Sequence, residues 1–417
     1  MNRRFFIGAA AAASRAAASD QVNIAIVGVR GRGRALASTF MAVPDVRISY
    51  LVDVDPQSVG PALEMIEKKT DRKPAVVSDL RRALDDKSLN AIVVATPDHW
   101  HAPATILACD AGKDVYVEKP ASHNIREGRL MVEAARRNRR VVQHGTQGRS
   151  RPNTIRAVEY ARSGKIGKLY MAKAWNVQKR RHIGHQPDSA PPPGLDYDIW
   201  VGPALWMPFN QNRFHYNWHW HWNFGTGDMG NDGAHQVDQA RWALGVDYPV
   251  EVSGMGRKLY FDDDQQTPDT MVVVFNYPDK ALMFEQRIWN PYKMDGVDNG
   301  VAIYGADGMV QIGRWKDGSG FKVFDSKGEV VHFDKEGTGD GEHARNFIEC
   351  VRTRKAPNAE IEIGHMSTVH CLLGNIVART GRTLKFDART ETIAGDAEAN
   401  KLIGRQYRGH WATPKGA

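Results

Sequence analysis

The sequence predicts an α/β protein that begins with a doubly wound parallel sheet and continues into a second α/β domain. Three observations support this class. Apolar, β-branched runs alternate with helical patterns as far as residue 145, a glycine-rich turn follows the first run, and a series of strand patterns followed by two helical patterns occupies the second half. At 417 residues the chain exceeds one ordinary core, so two domains are expected.

In the first half, strands and helices are predicted to alternate. Strands are predicted at 22–28, 46–52, 75–77, 91–95, 115–117 and 140–143, and helices at 35–41, 58–68, 79–84, from about 101 onward and at 125–137. This alternation implies parallel strands, and ligands of such sheets bind at the carboxyl ends of the strands.

The second half follows a different order. Strands are predicted at 168–177, 250–259, 270–276, 281–287, 300–304, 309–312, 321–325 and 330–333, and helices at 154–162, 342–354 and 365–380. The segment 178–193 is the longest irregular stretch and a candidate lid. The tail, 387–417, is expected to pack on the surface.

Composition excludes several classes of protein. The chain is 42% apolar and 25% charged, and no stretch approaches the ~20 apolar residues of a membrane span. Its formal charge of +8 is interspersed, so nucleic acid is not an expected partner. The three cysteines, Cys109, Cys350 and Cys371, form no CxxC motif and are interpreted as small buried hydrophobes.

The first 19 residues resemble an export signal. Asn2-Arg3-Arg4-Phe5-Phe6-Ile7 resembles the twin-arginine pattern, a short Ala-rich segment follows it, and Ala16-Ala17-Ala18 offers small residues for cleavage. This predicts a periplasmic or otherwise exported protein. The alternative is an uncleaved, disordered start. The twin-arginine route carries folded proteins, usually with their cofactor already bound.

A glycine turn after the first strand predicts a dinucleotide site. Gly28 and Gly33 fit the G-x-G-x-x-G spacing, but Arg30 holds the middle glycine position, Gly31 follows it and Arg32 comes next. The second strand delivers Asp53 where an acid that binds the ribose is expected. An acid at this position repels a 2′-phosphate, so NAD is favoured over NADP.

Polar residues at the ends of later strands are further candidates for cofactor binding. Thr96, Pro97, His99 and His101 follow one strand, Glu118 and Lys119 follow the next, and Gln147 follows the last. All of these are expected at one edge of the sheet.

The stretch 214–245 combines aromatic rings with hydrogen-bonding side chains, which suits a carbohydrate with apolar faces and polar edges. The candidate substrate-binding residues are Tyr216, Trp218, His219, His221, Asp228, Arg149 and Arg213. If residues 218–223 are extended, His219 and His221 share a face. A metal site at His215, His219 and His221 is an alternative, but no Cys, Asp or Glu converges on them and no metal is assigned.

This stretch ends in a helix capped by Gly245, with Asn231 or Asp232 at its start. His235 and Asp238 share a helix face, so Asp238 is a candidate for orienting the imidazole. The structural alternative is a buried aromatic strand followed by a capped helix.

Several motifs together resemble the glucose–fructose oxidoreductase/inositol dehydrogenase/MocA (Gfo/Idh/MocA) family. They are the glycine turn, Thr96-Pro97-Asp98-x-x-His101, Glu118-Lys119-Pro120, His144-Gly145-Thr146-Gln147, residues 192–203, the stretch 214–245 and Gly341-Glu342-His343-Ala344-Arg345-Asn346-Phe347. The resemblance covers nearly everything after the signal. It implies an NAD-binding Rossmann domain, here 20–145, and an α/β domain with a large, mostly antiparallel open sheet, here 146–386. That sheet commonly forms the interface of a homo-oligomer.

The resemblance also implies catalytic residues. The family's Lys and its Asp-x-x-x-His pair fall on Lys119, Asn231 and His235. Asn231 departs from the pattern, because an amide neither takes up a proton nor carries the negative charge of an aspartate. Asp232 is one residue away and is a further candidate. Proton transfer is therefore assigned mainly to His235 or Lys119.

These expectations give three functional hypotheses. The first is an exported oxidoreductase that acts on a ring hydroxyl of a sugar or cyclitol and holds NAD tightly. The second is an NAD-dependent, redox-neutral glycoside hydrolase. The third is a non-catalytic carbohydrate-binding protein on the same fold.

Overall fold

The computed structural model describes residues 21–290, 292–335 and 340–417. It consists of two sheets with helices packed on them, and the α/β class is as the sequence predicts. The predicted export signal lies outside the described residues. Within the described ranges, no helix combines the length and apolar character needed to cross a membrane.

The first sheet has six parallel strands in the order β3-β2-β1-β4-β5-β6. The strands are β1 (Val22–Val27), β2 (Val46–Val52), β3 (Ala75–Val77), β4 (Ala91–Val94), β5 (Asp114–Val117) and β6 (Val142–His144). The helices between them are α1 (Gly31–Met41), α2 (Pro56–Glu67), α3 (Leu80–Leu84), α4 (His101–Asp110) and α5 (Ile125–Asn138). Helices cover both faces, which explains why the strands are continuously apolar. The strand order reverses between β1 and β4, and this reversal marks the ligand crevice.

The second sheet has ten strands in the order β14-β13-β12-β11-β7-β10-β9-β8-β15-β16. These are β7 (Leu169–Val177), β8 (Glu251–Arg257), β9 (Thr270–Asn276), β10 (Ala281–Arg287), β11 (Asn299–Gly305), β12 (Gly308–Trp315), β13 (Gly318–Asp325), β14 (Val330–Asp334), β15 (Leu384–Asp387) and β16 (Thr392–Ile393). β10 and β7 are parallel, and the other pairs are antiparallel. The mostly antiparallel open sheet is thereby confirmed.

Helices cover one face of this sheet and form the largest hydrophobic core with it. The helices of the second half are α6 (Pro152–Arg162), α7 (Tyr197–Val201), α8 (Gly227–Gly230), α9 (Gly233–Leu244), α10 (Gly341–Thr353), α11 (Ile361–Thr380) and α12 (Ala397–Asn400). Side chains of β9 and β10 alternate strictly between buried and half-buried, so each strand presents one side to this core.

The C-terminal part of the chain returns to the first sheet. Phe347 and Ile348 of α10 join the core that contains Phe40 of α1, and Ala412 and Trp411 pack against the core on the opposite face. The tail is therefore part of the first lobe's packing and not only a surface segment. The proposed boundaries at 20–145, 146–386 and 387–417 stay predictions.

Candidate functional site

The glycine turn has the geometry that a diphosphate requires. Gly28 has a φ of +81°, and a Cβ on Gly33 would lie 1.7 Å from the carbonyl oxygen of Gly28. A Cβ on Gly31, the first residue of α1, would meet nothing within 4 Å, so the helix N-terminus is open to an approaching anion. Arg30 is extended, with a φ of −73°, which explains why the middle position does not need glycine.

Asp53 lies beside this turn. Its carboxylate accepts hydrogen bonds from the amides of Val29 (2.8 Å) and Asp55 (2.9 Å). Burial raises the pKa of Asp53, and these amides act against the rise. The side chain is thus held at the carboxyl end of β2, where a ribose-binding acid belongs.

A single cavity of about 640 Å³ joins the glycine turn to the second lobe. Among the predicted cofactor-binding and catalytic residues, its wall contains Gly28, Arg30, Gly31, Arg32, Asp53, Thr96, Pro97, His101, Glu118, Lys119, Asn231 and Asp232. Among the predicted substrate-binding residues, it contains Tyr216, Trp218 and His219. Its size suits a dinucleotide with a small substrate.

Lys119 stands at the end of β5, and its ammonium group donates a 2.6 Å hydrogen bond to Oδ1 of Asn231. The amide of Asn231 in turn donates to Oδ1 of Asp228 (3.2 Å). The ring of His235, in the first turn of α9, is half-buried and is not among the side chains that line the cavity, although the charge of Lys119 acts on it. Burial lowers the pKa of His235 to about 4, and the charge of Lys119 adds to the effect. The imidazole is therefore neutral at neutral pH and can accept a proton.

Arg180 bridges the carboxyl groups of Asp228 and Asp232, close to Asn231. Its guanidinium lies 2.7 Å from Asp228 and 2.9 Å from Asp232, and it faces the rings of Tyr216 and Trp220. Burial raises the pKa of Asp228. For Asp232, burial also acts upward, but the charges of Arg180 and Lys119 outweigh it and the pKa is lowered. Asp232 thus presents a carboxylate to the cavity.

Glu118 supports the site from the first lobe. It receives hydrogen bonds from Arg32 (2.8 Å) and from Gln147 (3.1 Å). Burial acts to raise its pKa, but Arg32 and then Lys119 outweigh burial and the net shift is downward. The ring of His101 contacts the carbonyl oxygens of Pro120 (2.6 Å) and Thr96 (2.9 Å), which fixes the ends of two neighbouring strands.

Other predicted residues lie behind or away from the cavity wall. His99 contacts the carbonyl oxygens of Trp200 (2.9 Å) and Phe224 (3.3 Å), His221 contacts that of Asn212 (2.7 Å), and Arg213 pairs with Asp188 at the surface. Gln147, Gly33 and Asp228 support residues of the wall.

The expected link between Asp238 and His235 is wrong. Asp238 accepts from Arg149 Nε (2.9 Å) and from Ser367 (2.6 Å), both far along the chain. Arg149, predicted to bind substrate, is only 6% exposed. Its guanidinium pairs with Asp238 and lies over the ring of Trp242. A buried carboxylate requires a positive charge and hydrogen-bond donors beside it, and a guanidinium supplies both better than a neutral imidazole does.

The expected extended conformation of residues 218–223 is also wrong for its first half, because a 3₁₀ helix spans His215–Trp220. The rings of Trp218 and His219 stack at 3.6 Å, which the turn allows and a strand would prevent. The three histidines are consequently dispersed. His215 lies 3.6 Å from Asp55, His219 contacts the carbonyl of Tyr216, and His221 is buried. In the part of the chain that the structure describes, no group of three His, Cys, Asp or Glu side chains suits a metal ion.

Several residues of the site carried no recognisable sequence signal. Arg180 lies in the irregular segment after β7, and Ile199 and Trp411 line the cavity from α7 and from the tail. Asp55 had a local signal, since it precedes Pro56 and caps α2 through the amide of Gln57.

Three curated relatives are similar to parts of this chain. A glycosyl hydrolase family 109 protein from Shewanella pealeana is 25% identical over 169 residues, 39% of this chain and 36% of the relative. An alpha-N-acetylgalactosaminidase from Shewanella oneidensis is 26% identical over 169 residues, again 39% of this chain and 36% of the relative. A family 109 protein from Saccharopolyspora erythraea is 32% identical over 127 residues, 30% of this chain and 28% of the relative. The chain thus spans about a third of these relatives.

Solved structures share the fold at low identity. GenD2 from gentamicin A biosynthesis, in complex with NAD, has a TM-score of 0.67 and 19% identity, with 88% of this chain and 97% of that chain covered. An aldose-aldose oxidoreductase from Caulobacter crescentus has a TM-score of 0.67 and 18% identity, with 88% of this chain and 100% of that chain covered. A levoglucosan dehydrogenase in complex with NADH and levoglucosan has a TM-score of 0.66 and 17% identity, with 87% of this chain and 99% of that chain covered.

Both lobes match one family. Residues 22–146 match its NAD-binding Rossmann fold, and residues 170–413 match its C-terminal alpha/beta domain. The chain therefore belongs to the Gfo/Idh/MocA oxidoreductase family, which confirms the resemblance indicated by its motifs.

Proposed function

We propose that this protein is an exported oxidoreductase that acts on a ring hydroxyl of a neutral sugar or cyclitol and keeps its NAD bound. The observation that carries the proposal is the continuity of one cavity from the glycine turn and Asp53 to the Lys119–Asn231 hydrogen bond. A nucleotide held at the first end and a substrate hydroxyl held at the second would meet inside it.

The first lobe supplies the groups for the cofactor. The open N-terminus of α1 suits a diphosphate, and Asp53 suits a ribose with a free 2′-hydroxyl, which favours NAD over NADP. Bound NAD would accept the hydride of the carbinol carbon.

The second lobe supplies the groups for the alcohol. One N–H of Lys119 is used by Asn231, which leaves the others for the substrate oxygen. The neutral ring of His235 has an acceptor nitrogen for the hydroxyl proton, and its low pKa means that it would hold this proton only transiently. Lys119 would hold the substrate oxygen. Asp228 is held away from this role by Asn231 and Arg180.

The charges at this end support a neutral substrate. Arg180 pairs with Asp228 and Asp232, and the charge of Lys119 acts on Asp232. The two cations are thus matched in number by two carboxyl groups, which favours a neutral sugar over an anionic one. The half-buried ring of Trp218 and the 51% exposed ring of Tyr216 offer apolar faces to sugar C–H groups.

Export and tight binding support each other. An exported enzyme meets no pool of free nicotinamide cofactor, so its NAD must be recycled by a second substrate or take part in a redox-neutral cycle. The twin-arginine pattern of residues 2–7 motivates this part of the proposal.

A redox-neutral glycosidase is the second candidate, and the similarity to glycosyl hydrolase family 109 proteins favours it. Transient oxidation of a ring hydroxyl would acidify a neighbouring C–H and permit elimination of the glycosidic oxygen, followed by water addition and re-reduction. The groups at Lys119 and His235 would serve both reactions.

We further propose that two copies associate through the open sheet. The side of β9 and β10 that faces away from the core is half-buried in one chain, and the exposed side chains of Tyr170 and Met255 lie on this sheet. Light scattering of the mature protein tests this, and a monomer at micromolar concentration would refute it.

The function is tested with the mature protein on neutral sugars, cyclitols, uronates and aryl glycosides. Reduced nicotinamide formed with a neutral sugar supports the oxidoreductase, and phenol release without net reduced nicotinamide supports the glycosidase. Lys119→Met is expected to reduce turnover by ~10²-fold or more in either case. If the protein turns over none of these compounds and His235→Ala leaves its biological activity intact, the non-catalytic binding hypothesis replaces both.

A further inference from the structure

The C-terminal segment 405–417, here named the strap, is fixed to both lobes. Arg408 lies 2.6 Å from the carboxylate of Asp198 and donates to the carbonyl of Gly202 (2.6 Å), both in or next to α7. Farther along, the carbonyl of Gly416 accepts from Arg126 of α5 (3.0 Å). The strap is therefore held to α7 through Arg408 and to α5 through Gly416.

Trp411 is the aromatic residue of the strap that lines the cavity. Its ring lies 5.7 Å from the ring of Trp100, and the guanidinium of Arg81 stands 4.1 Å above its centroid. The next residue, Ala412, is 2% exposed against the core of the first lobe. These contacts hold the indole in one place.

The same indole lines the cavity that contains Asp53. Ser78 and Leu80 follow β3, Ile199 belongs to α7, and all three line the cavity with Trp411. An acid at the end of β2 marks the ribose of the adenosine half of a bound dinucleotide. The end of β3 adjoins the end of β2, whereas Lys119 lies at the end of β5. Trp411 therefore stands at the adenosine end, away from the reacting groups.

We propose that Trp411 forms the outer wall of the adenosine site and that the strap retains the nucleotide. This rests on the proposed function in one respect, that the cavity takes NAD. A planar purine gains most from an aromatic and aliphatic wall, which Trp411, Leu80 and Ile199 provide. Release past this wall requires movement of a segment held by Arg408 and Arg126.

The experiment uses full-length protein freed of nucleotide and titrated with NAD and with ADP, which lacks the nicotinamide half. Trp411→Ala is expected to weaken both nucleotides by about fivefold, the effect of one lost aromatic contact, and to accelerate their dissociation. Trp411→Phe should remain within about twofold of the wild type. Lys119→Met, at the other end, should leave ADP binding unchanged, and Tyr292→Ala, an exposed aromatic (75%), controls for surface changes.

Unchanged ADP affinity in a folded Trp411→Ala variant would overturn the inference, and so would a loss confined to NAD. If Trp411→Ala does not fold, the release rate of Arg408→Ala is the deciding measurement, because this variant loosens the strap and leaves the side chains of Trp411, Leu80 and Ile199 unsubstituted. Faster release of ADP supports the inference, and an unchanged rate overturns it. A wild-type protein that binds neither nucleotide would instead remove the proposed function.

Discussion

The ammonium group of Lys119 donates a 2.6 Å hydrogen bond to Oδ1 of Asn231, whose Nδ2 donates to Asp228 at 3.2 Å. The amide is thus placed between a cation and a carboxylate with each end turned to the partner it suits. The resemblance to the family implied an aspartate at this position. With the carboxyl group of Asp228 beside it, an amide satisfies both neighbours without adding a further carboxyl group.

Asn231→Asp is expected to destabilise the protein at neutral pH by about 1–3 kcal/mol, because the donor to Asp228 is lost and two carboxylates are brought together. Asp228 is 1% exposed and its pKa is already raised by burial, so repulsion outweighs the gain at the half-buried Lys119. When a carboxyl group has a higher pKa in the folded protein than in the unfolded chain, the free energy of unfolding falls as pH rises. Urea unfolding should therefore show a smaller deficit at pH 5 than at pH 8.

Asn217→Asp is the control, because it adds the same charge to the neighbouring 3₁₀ helix. A deficit for Asn231→Asp that is independent of pH would contradict the argument.

The imidazole of His235 is expected to titrate near pH 4, since burial and then the charge of Lys119 lower its pKa from 6.5. Lys119→Met removes the second cause and should raise the pKa, although burial keeps it below 6.5. Because the unfolded chain binds this proton more readily, the folded protein loses stability as pH falls from about 6.5 toward 4. NMR titration of the ring, assigned through His235→Gln, measures both values. Equal values in the two proteins would show that Lys119 does not act on His235.

Arg180→Ala is expected to cost about 3 kcal/mol in unfolding free energy, because it leaves the buried Asp228 and the half-buried Asp232 without their shared partner. The unfolding free energy of Arg180→Lys should lie between those of the wild type and Arg180→Ala, because an ammonium group cannot bridge both carboxylates as a guanidinium does. Arg345→Ala removes an exposed pair with Glu342 and should cost less than about 1 kcal/mol. Equal losses for Arg180→Ala and Arg345→Ala would mean that the bridge contributes nothing beyond a surface pair.

Asp53→Ser is expected to weaken NAD binding about tenfold and to reduce the preference for NAD over NADP, because the acceptor for the ribose is shortened and the repelling charge is removed. Dissociation constants for both nucleotides, measured by calorimetry, give the ratio directly. A ratio identical to that of the wild type would show that Asp53 does not select the cofactor.

Much of the fold was predictable because strand and helix patterns are local. Apolar runs located β1, β2, β4, β9 and β10 to within a residue or two, and Gly245 ends α9 with a φ of +69°, as a C-cap does. Motifs that need only a short segment, such as Gly28 with Gly33 and Glu118-Lys119-Pro120, were equally visible.

By itself the sequence determined the two α/β lobes, the order of their longer elements, the glycine turn and the membership of the family, since periodicity and turn chemistry depend on neighbouring residues. The short elements α7, α8, α12, β15 and β16 were not predicted. Only the tertiary structure decided which charges face one another. It paired Arg149 with Asp238, placed Arg180 between two carboxylates and brought Trp411 to the cavity. The physical reason is that a buried charge or ring takes its partner from whatever segment the packing brings near, and that segment lies anywhere in the chain.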